Sequence, residues 1–336
     1  MAERTNAAGS RPVLPSGKLG FKSLPRRQFF KSDKNFYSLF DNIINMDDLT
    51  KVSFTNLEKI LFPELELKKS RVIEYYIRIA PLMLGSLKNR IIVMNRYPDG
   101  INKDGFYEKD APKGIPSWVE TFNTYSETAQ REIDYIICNN LDTLIWMANL
   151  AALEINITLS TIDNYDKPDL VFFDIDPEPP CSFDDVMDIA LLLKEKLDKL
   201  NLRSFVKTSG KKGLHVVLPI INNYNFKQTR EFVHQFGKFL AKESDLVVSE
   251  FRNSRDPGTV FIDYLQNTRG KTMIAPYSLR AQPQATVSTP LEWKELKKGL
   301  RPEEFNIFTL IKRKNDPWEG LMESKQSLEV EYNGNG

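Results

Sequence analysis

The chain is poor in the residues that build disulfide frameworks and zinc sites. Cys138 and Cys181 are its only cysteines, and His215 and His234 its only histidines, in 336 residues. Two thiols placed like this match neither a disulfide scaffold nor a zinc motif, and are expected to be free thiols in a reducing cytoplasm. No apolar run approaches the ~18 residues of a membrane span. The longest, around "LIWMANLAALEI", has the length of a buried helix. The N-terminus carries no apolar signal core, so secretion is not expected. An excess of one charge is missing too. With 46 Lys and Arg against 45 Asp and Glu, the formal net charge is +1. Global charge therefore announces no nucleic-acid binder, and any basic surface must be local.

What is present is an ordinary soluble composition, 41% hydrophobic and 27% charged, long enough for one large domain or two moderate ones. Residues 1–34 read as a basic flexible arm. They have Gly, Pro and Ser throughout, and eight basic residues stand against Glu3 and Asp33. The arm is either a solubilising tail or a tether to nucleic acid or a partner. Residues 35–315 read as one catalytic domain, with 46–160 and 165–295 as its two parts, and 316–336 as a polar tail.

The segment "SRVIEYYIRIAPLMLGSL" has helical spacing with Ser70 as a candidate N-cap. "LDTLIWMANLAALEI" is apolar nearly all round and reads as a buried helix. A strand over 170–175 follows, then a helix over 183–200. Ser182 caps that helix, Asp185 lies in its first turn, and Val186, Ile189, Leu193, Leu197 and Leu200 form one stripe. Strands are expected over 204–207, 214–218 and 259–264, and a helix over 226–242. Helices and strands are mixed, so the fold class is α/β or α+β.

The stretch "DLVFFDIDPEPP" carries the first chemical signal. Strand side chains alternate, so Asp174 and Asp176 share a face, with Cα atoms about 6.5–7 Å apart. Two carboxylates that close repel unless a cation lies between them, and hard oxygen ligands suit Mg²⁺ or Mn²⁺. Taken alone the pair reads as two solvated acids before a Pro-rich turn.

Two downstream segments strengthen the metal reading. "KTSGKKGLHVVLP" sets a basic glycine turn between two strands. Gly210 and Gly213 allow close backbone approach to a ligand, Ser209 offers a hydroxyl, and Lys211 and Lys212 offer charge for a triphosphate. His215 opens the next strand within reach of a phosphate, whereas His234 sits in the helical run "REFVHQFGKFL" as a structural residue. In "TVFIDYLQN", Asp263 ends another apolar strand and is expected to bring a third carboxylate to the pair. Arg269, Lys271 and Arg280 follow as further phosphate ligands. Three acids beside a basic glycine turn describe metal-assisted phosphoryl or nucleotidyl transfer, in which a 3′-hydroxyl attacks an α-phosphate.

Together "FFDIDP", "KTSGKKGLHVVLP" and "VFIDYLQNTRGKTMIAPYSLRA" resemble the polymerase domain of the ligase D type, in the archaeo-eukaryotic primase superfamily. The resemblance extends to "TNLEKILFPELELKKSRVIEYYIRIAP", "NRYPDGINKDGFYEKDAPKGIPSWV" and "NLDTLIWMANLAALEI", and so covers roughly 49–293. It implies an α+β fold, a primase-polymerase core of two β-sheets with flanking helices. It implies that Asp174, Asp176 and Asp263 bind two divalent ions, Mn²⁺ or Mg²⁺, and that Ser209, Lys212 and His215 hold the incoming nucleotide's phosphates. Arg280 and Arg255 match nucleotide-contacting arginines. Lys59 and Lys69 match lysines that hold a DNA 5′-phosphate, with Lys68 a competitor for the second. Phe106 and Tyr107 match an aromatic pair that stacks on the template.

Two positions depart from the family pattern. The usual "KRYPDG" reads "NRYPDG", with Asn95 in place of lysine, and the histidine two residues after "LE" is Asn156. Both bear on contacts to phosphate or sugar. The chain is too short for an adenylation domain and has no "KxDG" motif, so a ligase is expected in trans, or the chain is an excised domain. The resemblance further implies Ku as a partner, NTP or dNTP as substrate with a preference for ribonucleotides, and gapped or broken DNA with a 5′-phosphate. It places the chain in a prokaryotic cytoplasm, nucleoid-associated when on DNA. The expected function is template-dependent gap filling and end extension in non-homologous end joining. The alternatives are a primase of the same superfamily, a non-catalytic end-binding module, and, distantly, a glycosidase using paired carboxylates.

Overall fold

The structure, a computed structural model, describes residues 51–127, 129–250 and 256–329. The arm at 1–34, the first residues of the expected domain, Arg255 and the last seven residues lie outside the described residues. The architecture is α+β, with two large sheets flanked by helices.

Strands β1 (Ile60–Phe62) and β2 (Leu67–Lys68) pair antiparallel and lead into α1 (Lys69–Leu87). The helix begins one residue before Ser70, and Lys68 at its N-cap makes no side-chain capping bond. Backbone satisfies the exposed amides instead: Lys69 N donates to Lys59 O at 2.8 Å and Ser70 N to Leu57 O at 3.0 Å. Next come β3 (Ile91–Arg96), β4 (Phe106–Glu108), β5 (Glu120–Ser126) and β6 (Arg131–Ile137). The apolar run after them is not one helix. Helix α2 (Leu141–Asn149), capped by Asn140, stops at Asn149, Ala151 takes φ 60°, and β7 (Ala152–Thr158) follows. In "ALEINIT", Leu153, Ile155 and Ile157 alternate with Glu154, Asn156 and Thr158. That period of two suits a strand with one apolar and one polar face.

The second half holds β8 (Leu170–Pro177), α3 (Phe183–Lys199), β9 (Phe205–Thr208), β10 (Leu214–Pro219), α4 (Phe226–Glu243), β11 (Val247–Val248) and β12 (Val260–Ile262). Strand β13 (Thr272–Ile274) returns to the first sheet and β14 (Pro290–Leu291) to the second. The first sheet has the order β13-β7-β3-β6-β5, with β4 on β3, and the second β11-β12-β8-β10-β9-β14. The segment between β13 and β14 joins the two. Ala275 N donates to Ile155 O of β7 at 2.9 Å, and Thr208 N of β9 donates to Thr289 O at 2.9 Å.

Capping fixes where α3 begins, because Ser182 and Asp185 form a reciprocal capping box. One face of the second sheet, with Val171, Phe173 and Ile175 of β8 and Leu214, Val216 and Leu218 of β10, packs on Val186, Leu193 and Leu197 of α3 and on Val233, Phe236 and Leu240 of α4. Burial of each such side chain contributes about 1.5–3 kcal/mol. Strand alternation then sends Phe172, Asp174, Asp176 and His215 to the other face, so the helices that build the core leave the acids on the open side.

Residues 316–329, expected as a polar tail, dock onto this sheet. Trp318 is buried with its Nε1 donating to Val206 O at 3.0 Å, and Gln326 Nε2 donates to Arg203 O at 2.7 Å. An indole that large, with one N–H to satisfy, anchors the segment.

Candidate active site

Strand β8 is central, and its register sets the site. Asp174 lies opposite His215 of β10, and Asp176 opposite Phe261 of β12. His215 opposite Lys207 extends the row to β9, and Asp263 N donates to Asp174 O at 3.0 Å, so Asp263 follows in line on the other side. Asp263, Asp174, His215 and Lys207 thus form one cross-strand row, in which neighbouring Cβ atoms stand about 4.5–5.5 Å apart.

His215 Nε2 is 3.2 Å from Asp174 Oδ1, while its buried Nδ1 has no hydrogen-bond partner among the described residues. Burial first, and then the Lys207 cation, push the imidazole well below its usual value, so it is neutral at neutral pH. Lys207 is itself wholly buried, donates to Ser288 Oγ at 2.6 Å, and is pushed down by burial and then by Arg280.

The third acid answers the sequence expectation only in part. Backbone register brings Asp263 beside Asp174, but its carboxylate caps the following 3-10 helix, Tyr264–Asn267. Oδ1 accepts from Leu265 N at 3.0 Å and Oδ2 from Gln266 Nε2 at 2.9 Å. Among the described residues no three His, Cys, Asp or Glu side chains converge on a common cation position. Local capping wins because it satisfies an otherwise orphaned helix amide. As a donor set, Asp174 and Asp176 fit a hard divalent cation, with Asp263 the further carboxylate that the backbone brings to the same face.

The glycine turn sits against these acids for a steric reason. A Cβ on Gly213 would lie 2.4 Å from Asp176 Oδ1 and 2.5 Å from Ile175 O, so only glycine lets the turn approach. Gly210 has φ 74°, and a Cβ there would meet Arg280 Cγ at 2.6 Å and Ser288 N at 2.9 Å. Ser209 Oγ organises the turn by accepting from Lys211 N at 3.3 Å and Gly213 N at 3.1 Å. Lys212 Nζ donates to Pro177 O at 2.9 Å and lies 3.8 Å from Glu178 Oε1. Arg280 lies over Gly210, its Nε 3.1 Å from Glu154 Oε1.

A second basic cluster forms at the start of α1. Lys69 is nearly buried and donates to Thr55 O at 2.6 Å. Burial, then Lys59, then Arg96 lower its ammonium to about 8. Lys59 also meets Asp99 at 2.6 Å. Lys68 points outward to Glu58 at 2.6 Å, so the geometry groups Lys69 rather than Lys68 with Lys59. The aromatic pair is divided. Consecutive strand residues face opposite sides, and Arg96 lies 5.2 Å from the Phe106 ring centre, whereas Tyr107 lines a cleft of about 260 Å³ with Asn156, Tyr135, Tyr165, Gln266 and Lys271. Both rings are exposed.

Sequence reasoning passed over Glu154 of β7 and Lys207 of β9, both buried ionisable residues. Alternation in "ALEINIT" signals the first; Lys207 precedes the turn with no comparable signal.

Comparison with known proteins adds identity to this geometry. Residues 68–318 match the family described as "LigD, primase-polymerase domain". The chain is 32% identical over 265 residues to the bifunctional non-homologous end joining protein LigD of Bacillus subtilis, covering 78% of this chain and 42% of that protein. It is 30% identical over 254 residues to the multifunctional LigD of Mycolicibacterium smegmatis, covering 75% and 33%. The chain therefore spans less than half the length of these relatives. Among solved structures it is similar to the polymerase domain of Mycobacterium tuberculosis ligase D in complex with DNA, with TM-score 0.75, 29% identity, and coverage of 82% of this chain and 99% of that one. Polymerase domains of this kind depend on divalent metal ions. With its paired acids, glycine turn and two-sheet core, this chain belongs to the LigD primase-polymerase domain family.

Proposed function

We propose that this chain is a template-dependent polymerase that fills gaps and extends ends at double-strand breaks. One observation carries the reading: Gly213 brings the phosphate-binding turn into contact with Asp176, so a triphosphate on the turn would lie beside the paired acids. Asp174 and Asp176 would hold Mn²⁺ or Mg²⁺, with Asp263 joining in a two-ion site. A bound divalent ion would offset the charge of the transferring phosphate and activate the 3′-hydroxyl. Ser209, Lys212 and His215 would bind the nucleotide's phosphates, as would Arg280 and, outside the described residues, Arg255. Lys59 and Lys69, with Arg96 beside them, would take the 5′-phosphate across a gap. Phe106 and Tyr107 would stack on template bases from two sides of β4. Ku and a separate ligase are the proposed partners, and a prokaryotic cytoplasm, at the nucleoid, the location.

The test is incorporation of labelled ribo- and deoxyribonucleotides on a gapped duplex, with Mn²⁺ and Mg²⁺ compared. Incorporation is expected, stronger with ribonucleotides and weaker when the gap lacks its 5′-phosphate. Equal extension with and without that phosphate would favour a primase. A non-catalytic end-binding module draws support from the inward-capping carboxylate of Asp263. Binding of gapped DNA without incorporation under either metal would establish that reading instead.

A further inference from the structure

Glu154 is a buried carboxylate on β7 of the first sheet, yet it reaches the nucleotide turn of the second. It is 2% exposed. Its Oε1 lies 3.1 Å from Arg280 Nε, accepts from Ala281 N at 3.2 Å, and lies 3.9 Å from Lys211 Nζ. Its Oε2 accepts from Asn95 Nδ2 at 3.2 Å, and Asn95 is its register partner on β3. Burying a carboxylate is costly unless cations and donors satisfy it. Here both cations belong to the proposed nucleotide site. Position 95, lysine in the pattern this chain resembles, is a neutral amide, so Arg280 and Lys211 balance the charge.

We propose that Glu154 is a positioning residue for the incoming nucleotide, clamping Arg280 against Gly210 so that the guanidinium and Lys211 face the phosphates. The inference rests on the nucleotidyl-transfer reading of the turn. Two effects oppose each other when Glu154 is neutralised. Removing a negative charge strengthens the local attraction for a triphosphate, but it also unpairs Arg280. The second effect wins on geometry. The Arg280 side chain is 13% exposed, and among the described residues its buried Nε has no hydrogen-bond partner beyond the ion pair with Glu154. Freed, the guanidinium has no other anchor over Gly210 among the described residues and leaves the alignment that phosphate binding needs.

The experiment is steady-state incorporation on a gapped duplex by the full chain, Glu154→Gln, Arg280→Gln and the double variant, with denaturation midpoints recorded for each. Glu154→Gln is expected to raise the nucleotide KM about tenfold and leave kcat within about twofold. The double variant should be no worse than Arg280→Gln alone, because Glu154 acts through Arg280. Glu154→Asp, which keeps the charge but withdraws it, should give an intermediate KM, and it replaces the Gln variant in the cycle if the latter fails to fold. An unchanged or lowered KM, or effects that multiply in the double variant, overturns the inference while wild-type incorporation leaves the function standing. A wild-type chain that incorporates nothing overturns both.

Discussion

At the scale of single residues, charge and burial set what each group can do. Asp174 sits mid-face with His215 on one side and Asp263 on the other. Asp174→Ala should cut incorporation by roughly a hundredfold or more while leaving the affinity for gapped DNA unchanged. A gel-shift assay beside the extension assay checks both halves. Lys69 carries a pH prediction. Burial, Lys59 and Arg96 lower its ammonium to about 8, so the free protein loses that charge as pH passes 8. A phosphate binds the charged form, so the affinity gained from a 5′-phosphate should be full below pH 8 and decline above it. Duplexes lacking the phosphate report the background, and a 5′-phosphate advantage that persists unchanged to pH 9 would contradict the assignment. Sequence motifs named these residues, but side-chain direction lay beyond them. Nothing in "VFIDYLQN" says that Asp263 turns to cap Leu265, because that choice depends on a helix turn formed only in the folded chain.

At the scale of elements, the turn between β9 and β10 depends on two glycines for different reasons. Gly210 supplies a positive φ, whereas Gly213 supplies absence of a side chain beside Asp176. Gly213→Ala should destabilise the fold by about 1–3 kcal/mol, because its methyl meets backbone and carboxylate rather than a flexible chain end. Urea denaturation measures the loss, and incorporation should fall further than stability predicts. The strand–turn–strand unit and α3 were legible because each has local signals: alternation, glycines between lysines, and a Ser182–Asp185 box. The boundary between α2 and β7 was not legible from hydrophobicity, since the helix and the strand are both buried and rich in apolar residues. Only the switch to a period of two in "ALEINIT" marks it.

At the scale of the whole described chain, buried polar links hold distant segments together. Arg90, just before β3, makes a bidentate pair with Asp169, just before β8, at 2.7 and 3.0 Å, and Lys325 lies 3.4 Å from the same carboxylate. Asp169→Asn leaves a buried guanidinium poorly paired and should cost about 3–5 kcal/mol, read from the shift in the urea midpoint. The proposed DNA affinity also belongs to this scale. With a net charge of +1, it would come from local clusters such as Lys59, Lys69 and Arg96. Replacing one contacting lysine by Ala should reduce the slope of log affinity against log salt by about 0.9 on duplex DNA. An unchanged slope for Lys59→Ala would remove that residue from the interface.

The amino-acid order alone determined the mixed α+β class, the paired acids on one strand face, the glycine turn between two strands and the family. Each follows from short-range periodicity or from contiguous motifs. Tertiary structure decided which groups meet across the molecule: Glu154 of one sheet with Arg280 beside the other, Trp318 with β9, and the Asp263 backbone with that of Asp174. Those pairings depend on register and rotamer, which are set by the packing of segments far apart in sequence.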